Sequence, residues 1–207
     1  MPAPNKRLKV PVRVDWGTNL SSAAPLFAAA LASLPFVEVS AAQTIACHVR
    51  GSQQWLATRP SPLDSSVLTV KGMTAKICYS RPSARGRSLD SLVPPGRAWR
   101  VGANEPTTIT LTDSMEVGNV RLAAGRYLLL AVPGAPRWTV AFYSTPDTEP
   151  IAMFRSMKQV ALGSGEVQTS AEFVEQFRIR NEADSGSAGF VLEWGTWRVR
   201  IPVRAAL

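Results

Sequence analysis

The sequence is poor in the residues that most often carry chemistry. It has one histidine, His48, and two cysteines, Cys47 and Cys78. Counting alone therefore excludes histidine-rich metal sites, four-cysteine zinc sites and paired-histidine catalysis. His48 and Cys47 do not make a nucleophilic pair, because adjacent residues seldom present their side chains to each other. A long apolar run is also missing. Pro25 and Pro35 leave only residues 26–34 between them, well short of the roughly 20 apolar residues that cross a hydrocarbon layer. Charged residues make up only 18% of the chain, but apolar residues reach 45%, which is not the composition of a disordered polymer.

The 207 residues suffice for one real core, and two full domains would be cramped. With 23 Lys+Arg against 15 Asp+Glu the net charge is +8, which favours an anionic partner. From residue 66 onward, turn residues separate short runs rich in β-branched and aromatic side chains: 67–71, 75–79, 98–101, 107–111, 127–132, 138–143, 190–194 and 197–201. In Trp197-Arg-Val-Arg-Ile201 the apolar residues share one face and the arginines the other, the period of a strand with one wet side. Hairpin signals stand at Lys71-Gly72, Ala124-Gly125, Pro133-Gly-Ala-Pro136 and Gly195-Thr196. Eight or nine strands at this spacing predict an all-β, antiparallel β-sandwich or jelly-roll-like single domain at 60–207, preceded by an extended N-terminal arm at 1–59. Residues 151–160 read as a short helix, and Glu175–Arg180 as a strand.

The arm has its own composition. Lys6, Arg7, Lys9 and Arg13 are followed by Asp15, Trp16 and an apolar stretch with Leu26, Phe27, Leu31, Leu34 and Phe36. A basic start, a short apolar run and small residues before Ser40–Gln43 are the ingredients of a secretory signal, although Asp15 and Glu38 interrupt the pattern. The alternative is a permanent docking arm. Its apolar residues would fill grooves on a partner and its basic residues would meet acidic protein or anionic lipid head groups. Trp16 and Trp55 are the candidate exposed anchors. Thr44-Ile-Ala-Cys47 lacks the branched apolar residue expected upstream of a lipid-modified cysteine.

Two longer motifs carry a resemblance. Tyr79-Ser-Arg-Pro-Ser-Ala-Arg-Gly-Arg87, and the segment from Leu92-Val-Pro-Pro-Gly-Arg-Ala-Trp-Arg-Val-Gly-Ala-Asn-Glu105 to Thr110, resemble a family of secreted bacterial proteins, the domain-of-unknown-function 2911 family. The likeness continues through Leu122–Tyr127, Pro133–Val140 and Leu192–Val203 and covers about residues 60–205. It implies a compact extracytoplasmic all-β domain and no particular activity, so it transfers no catalytic residues. The chain departs from the family in having no tryptophan in Ser144–Gly165 and in its longer N-terminal region.

Within the motifs, Arg81, Arg85, Arg87, Arg97 and Arg100 alternate with Tyr79 and Trp99. One reading is an anion or acidic-surface site, joined by Asn104 and Glu105. The other is a structured loop whose arginines bond backbone carbonyls and pair with Asp90 or Glu105. Glu105, with Asp113, Glu116 or Glu193 as a second acid, would serve hydrolysis only if two carboxyls converged. In an oxidising compartment Cys47 and Cys78 would pair; otherwise Cys78 is a buried apolar residue of its strand. Trp138, Trp194 and Trp197 read as core, with a sugar platform as the less frequent use.

These readings point to a non-catalytic periplasmic or extracytoplasmic subunit, peripheral to the membrane, that docks on an integral-membrane or membrane-bound protein complex. A bacterial photosynthetic reaction-centre and light-harvesting assembly is one such place. The second expectation is a soluble periplasmic binding domain for a small anionic or carbohydrate ligand, and the third an unrecognised hydrolase. No cofactor, metal or nucleic-acid partner is expected.

Overall fold

The computed structural model describes residues 45–49, 51–145, 157–184 and 186–206. Among them the chain forms two short helices, α1 (Gln53–Thr58) and α2 (Leu89–Leu92), and nine strands: β1 (Leu63–Val70), β2 (Met73–Ser80), β3 (Thr108–Leu111), β4 (Met115–Val117), β5 (Val120–Leu122), β6 (Gly125–Val132), β7 (Arg137–Ser144), β8 (Gln159–Ala183) and β9 (Ala188–Ala205). All described pairings are antiparallel and belong to one open sheet of order β1-β2-β3-β6-β7-β8-β9-β4-β5. The all-β antiparallel class predicted from the strand spacing is the fold observed.

The tight turns follow from their residues. Lys71 and Gly72 have φ of 49° and 81° and connect Val70 to its register partner Met73. Two positive φ values in a two-residue loop match the right-handed twist of the flanking strands. Gly118 and Asn119, at 62° and 66°, do the same between β4 and β5.

Three local expectations are corrected. Gly195-Thr196 does not turn a hairpin; it lies inside β9, which runs unbroken through it. The ribbon of β8 and β9 shifts register between Thr169 and Val174 and again between Val174 and Arg178, with Val174 opposite Gly195. These bulges absorb extra residues, so the strands bend rather than reverse. Residues 98–101 are not a strand. Only Trp99 bridges, to Ala131 of β6, and Val101 has a φ of 54°. Of the predicted helix at 151–160, Gln159 and Val160 instead open β8, while 151–156 lie outside the described residues.

Inward residues alternate as the sequence predicts. Ile77, Ile109, Leu129, Phe142, Phe177, Phe190 and Ile201 are each at most 1% exposed and form one cluster. Each contributes about 1.5–3 kcal/mol by leaving water. The layers that enclose them come from one sheet curling on itself. β1 packs against β8 and β9, although five and six places separate them in hydrogen-bonding order. The join is made where the chain leaves β2. Ser83 bridges Gln176 of β8, the Phe177 N–H donates to the Pro82 carbonyl at 2.8 Å and the Ala84 N–H to the Glu175 carbonyl at 3.0 Å.

Tyr79 reinforces this join from inside. Its buried hydroxyl accepts from the Ile179 N–H at 2.8 Å and donates to Asp64 Oδ2 at 3.1 Å. Tyr79→Phe removes that acceptor and leaves a buried N–H unsatisfied. Urea denaturation should show a loss of about 1–3 kcal/mol with little change in m-value, and an unchanged midpoint would contradict the role given to the hydroxyl.

Candidate functional site

Between β2 and β3 the chain makes a long excursion, residues 81–107, that carries most of the motif residues. Its arginines do not converge on a common acceptor. Arg81 Nε donates to the Phe177 carbonyl at 3.2 Å and its guanidinium stands 3.5 Å from Asp64. Arg87 donates to the carbonyls of Ala84 and Ser83, and Arg100 to that of Asn104. The Arg85 backbone N–H reaches Glu175 Oε1 at 2.6 Å, and Arg97 is exposed. Three of the five guanidinium groups thus bond backbone carbonyls. The ion partner within this group is Asp64, not Asp90 or Glu105.

Glu105 is held by a residue that sequence reasoning did not single out. Arg59, buried at 5% exposure, meets it with Nη1 at 2.7 and 3.0 Å, while its Nη2 donates to Ser80 Oγ at 2.9 Å. The Ser80 hydroxyl in turn donates to Glu105 Oε2 at 3.1 Å. Such a forked, desolvated pair fixes geometry. Beside it Asn104 adopts a φ of 55° and donates to the Ser61 carbonyl at 3.0 Å. Nothing in the composition around Arg59 marks it, because its partner lies 46 residues away.

The other acids are also separately engaged. Asp113 accepts from the Ser114 N–H at 3.1 Å, and Glu116 pairs with Arg204 at 2.8 Å. Glu193, only 3% exposed, takes four charge-assisted hydrogen bonds: one from Arg178 at 2.7 Å, two from Arg180 at 2.7 and 2.8 Å, and one from Arg198 at 2.5 Å. The arginines of the alternating runs in β8 and β9 therefore close over a buried carboxylate instead of simply facing water. Burial by itself pushes the Glu193 carboxyl up, but hydrogen bonds from Arg180 and Arg178 outweigh it and hold the group at about 2. Among the described residues no group of three His, Cys, Asp or Glu side chains could hold a metal ion.

The excursion also lies against the aromatic part of the core. Trp99 stacks on Trp194 with ring centres 5.9 Å apart and meets Phe177 edge-on at 5.1 Å. Trp138 meets Trp197 edge-on at 5.2 Å. Trp138 and Trp194 are core residues, while Trp197 and Trp99 are only partly buried against them. Beside Trp197 an open groove of about 270 Å³ runs between Asp90 and Pro95 of the excursion and the Pro133–Ala135 turn, with Val167 and Val199 on its strand side.

Cys47 and Cys78 form a disulfide, with Cα atoms 5.6 Å apart and a separation of 31 positions in sequence. Lys76 Nζ adds a bond to the Ile45 carbonyl at 2.7 Å. Trp55 is 45% exposed and carries the Arg59 guanidinium over its ring at 5.1 Å. Lys6, Arg7, Lys9, Arg13, Trp16, Leu26, Phe27, Leu31, Leu34 and Phe36 lie outside the described residues.

The depressed Glu193 acidity has a defined consequence. A carboxylate whose folded value lies below its ordinary 4.5 contributes stability that is complete above pH 4.5 and is lost as pH falls toward 2. That contribution is on the order of 3 kcal/mol. Glu193→Gln should cost a comparable amount at pH 7, by leaving three arginines without their shared anion, and should flatten the acid limb of a stability–pH curve. An unchanged acid limb would show that Glu193 does not carry it.

No curated protein and no solved structure matches the chain. A family model described as "Protein of unknown function (DUF2911)" matches residues 61–203, which takes in both long motifs and all nine strands apart from the last two residues of β9. With more than two thirds of its length so matched, the chain belongs to the domain-of-unknown-function 2911 family.

Proposed function

We propose that the protein is an extracytoplasmic interaction subunit rather than an enzyme: a rigid β head whose N-terminal arm docks on a membrane-bound protein assembly. The observation that carries this reading is the Cys47–Cys78 disulfide. Disulfides persist in oxidising compartments, and this one ties Cys47 of the arm to Cys78 of β2. A load on the arm then passes directly into the sheet. A loop of this length also constrains the unfolded chain by about 3–4 kcal/mol.

Two further features support it. Trp55 is held ready at the surface by its stack with Arg59, and a preordered aromatic loses little entropy on binding. The acids that could serve hydrolysis sit in separate networks, with Glu105 on Arg59 and Glu193 on its three arginines. The basic residues Lys6, Arg7, Lys9 and Arg13 would supply attraction to acidic protein or anionic head groups.

The expected result of an intact-mass measurement on protein isolated from its native membranes is a chain that retains residues 1–43, with a Cys47–Cys78 disulfide in the unreduced sample. The same material should co-purify with a membrane complex after detergent solubilisation. A mature chain starting after residue 43 and recovered only in the soluble fraction would overturn the docking reading.

A further inference from the structure

The groove beside Trp197 has a chemical character that the docking reading leaves unused. Its walls are apolar and flat: Trp197, Trp138, Pro95, Pro133, Val167 and Val199. Asp90 is the only ionisable side chain among its lining residues. Asp90 is exposed and makes no side-chain hydrogen bond or ion pair among the described residues. Of the four clustered tryptophans, Trp194 spends its indole N–H on the Glu175 carbonyl at 3.1 Å. The groove therefore presents one carboxylate acceptor beside an apolar floor that includes an indole.

We propose that this groove binds a neutral sugar, with one pyranose ring lying on the Trp197 indole and its hydroxyls bonded to Asp90. A sugar ring carries an apolar C–H face for the indole, and hydroxyls that donate to the carboxylate. Other occupants leave something unmatched. An anion would meet Asp90 with no lysine or arginine in the lining. An alkyl chain would bury the carboxylate without a partner. A proline-rich peptide offers few N–H donors to Asp90. At about 270 Å³ the groove is also at the small end of ligand sites, suited to a sugar ring or a disaccharide rather than to an extended peptide. With one acid in its lining it holds the sugar without cleaving it, since glycoside hydrolysis needs two.

The site is rigid for reasons already described. Trp197 is braced by the edge of Trp138. The helix that carries Asp90 packs on β9 opposite the β8 bulge, where a Cβ on Gly195 would lie 2.5 Å from Leu89 Cδ1. The inference stands independently of arm docking, because none of its residues belongs to the arm.

The test is titration of the full oxidised chain with cellotetraose, maltotetraose, mannotetraose and chitotetraose, each up to about 10 mM, followed by tryptophan fluorescence and calorimetry. At least one should saturate, with a Kd between about 10 μM and 1 mM. Trp197→Ala should weaken that sugar at least about tenfold, and Trp197→Phe should retain part of the affinity. Because Trp197 also packs on the core, two surface variants complete the test. Asp90→Asn should weaken binding severalfold. Val167→Arg, at a position 44% exposed, should block the groove while leaving the denaturation midpoint nearly unchanged. Failure of all four sugars to bind would overturn the proposal. So would binding that ignores Asp90→Asn and Val167→Arg, or Trp197-dependent capture of a proline-rich decapeptide with no response to sugars.

Discussion

The architecture depends on a crossing: the chain leaving β2 reaches over to pair with β8. The sheet is open by connectivity, and an open nine-stranded sheet would leave one face of its apolar residues wet. The Ser83–Gln176 bridge and the Tyr79 hydroxyl on the Ile179 N–H bring the first strands over the sixth and seventh of the hydrogen-bonding order. The inner face then closes on itself. Because the motif Tyr79–Arg87 makes this crossing, it also fixes where the excursion of residues 81–107 starts, and hence that α2 and Pro95 stand opposite Trp138 and Trp197. The groove follows from the crossing.

The cationic surplus of this chain is organised unevenly. On the β8–β9 ribbon three arginines are neutralised around Glu193, with Glu172 and Glu182 as outer partners. In the excursion Arg87 and Arg100 act as donors to carbonyls that an irregular loop would otherwise leave to water, and Arg81 donates to the Phe177 carbonyl of β8. Arginine suits both tasks, since its planar fork bonds several acceptors at once and keeps its charge. The basic composition thus serves architecture in the body, and the arm is where free charge for a partner is sought.

The fold class was legible because strand period and turn chemistry are local. Phe177 and Ile179 alternate with Arg178 and Arg180, and Lys71-Gly72 can hardly be anything but a tight turn. The errors were also local in origin. Gly195 carries the same signal whether it begins a hairpin or bends a long strand. The two are separated only by the partner strand, whose bulge at Val174 takes up the slack. Trp99 read as part of a strand because its neighbours are β-formers, but the excursion around it is held by non-local bonds that no window of sequence contains. The arginine cluster was visible and its two readings were not separable, since composition does not say which carbonyls come within reach.

By itself the sequence determined the all-β class, the family, the scarcity of metal-ligating and nucleophilic residues and the separate character of the first fifty residues. Each of these is written in composition, period or an unbroken motif. Tertiary structure decided that Arg59 answers Glu105 across 46 residues, that Glu193 gathers three arginines from two strands, and that Asp90 faces Trp197 across a groove. Such meetings depend on how far a sheet twists and where it bends, and those quantities belong to the packed whole rather than to any segment of it.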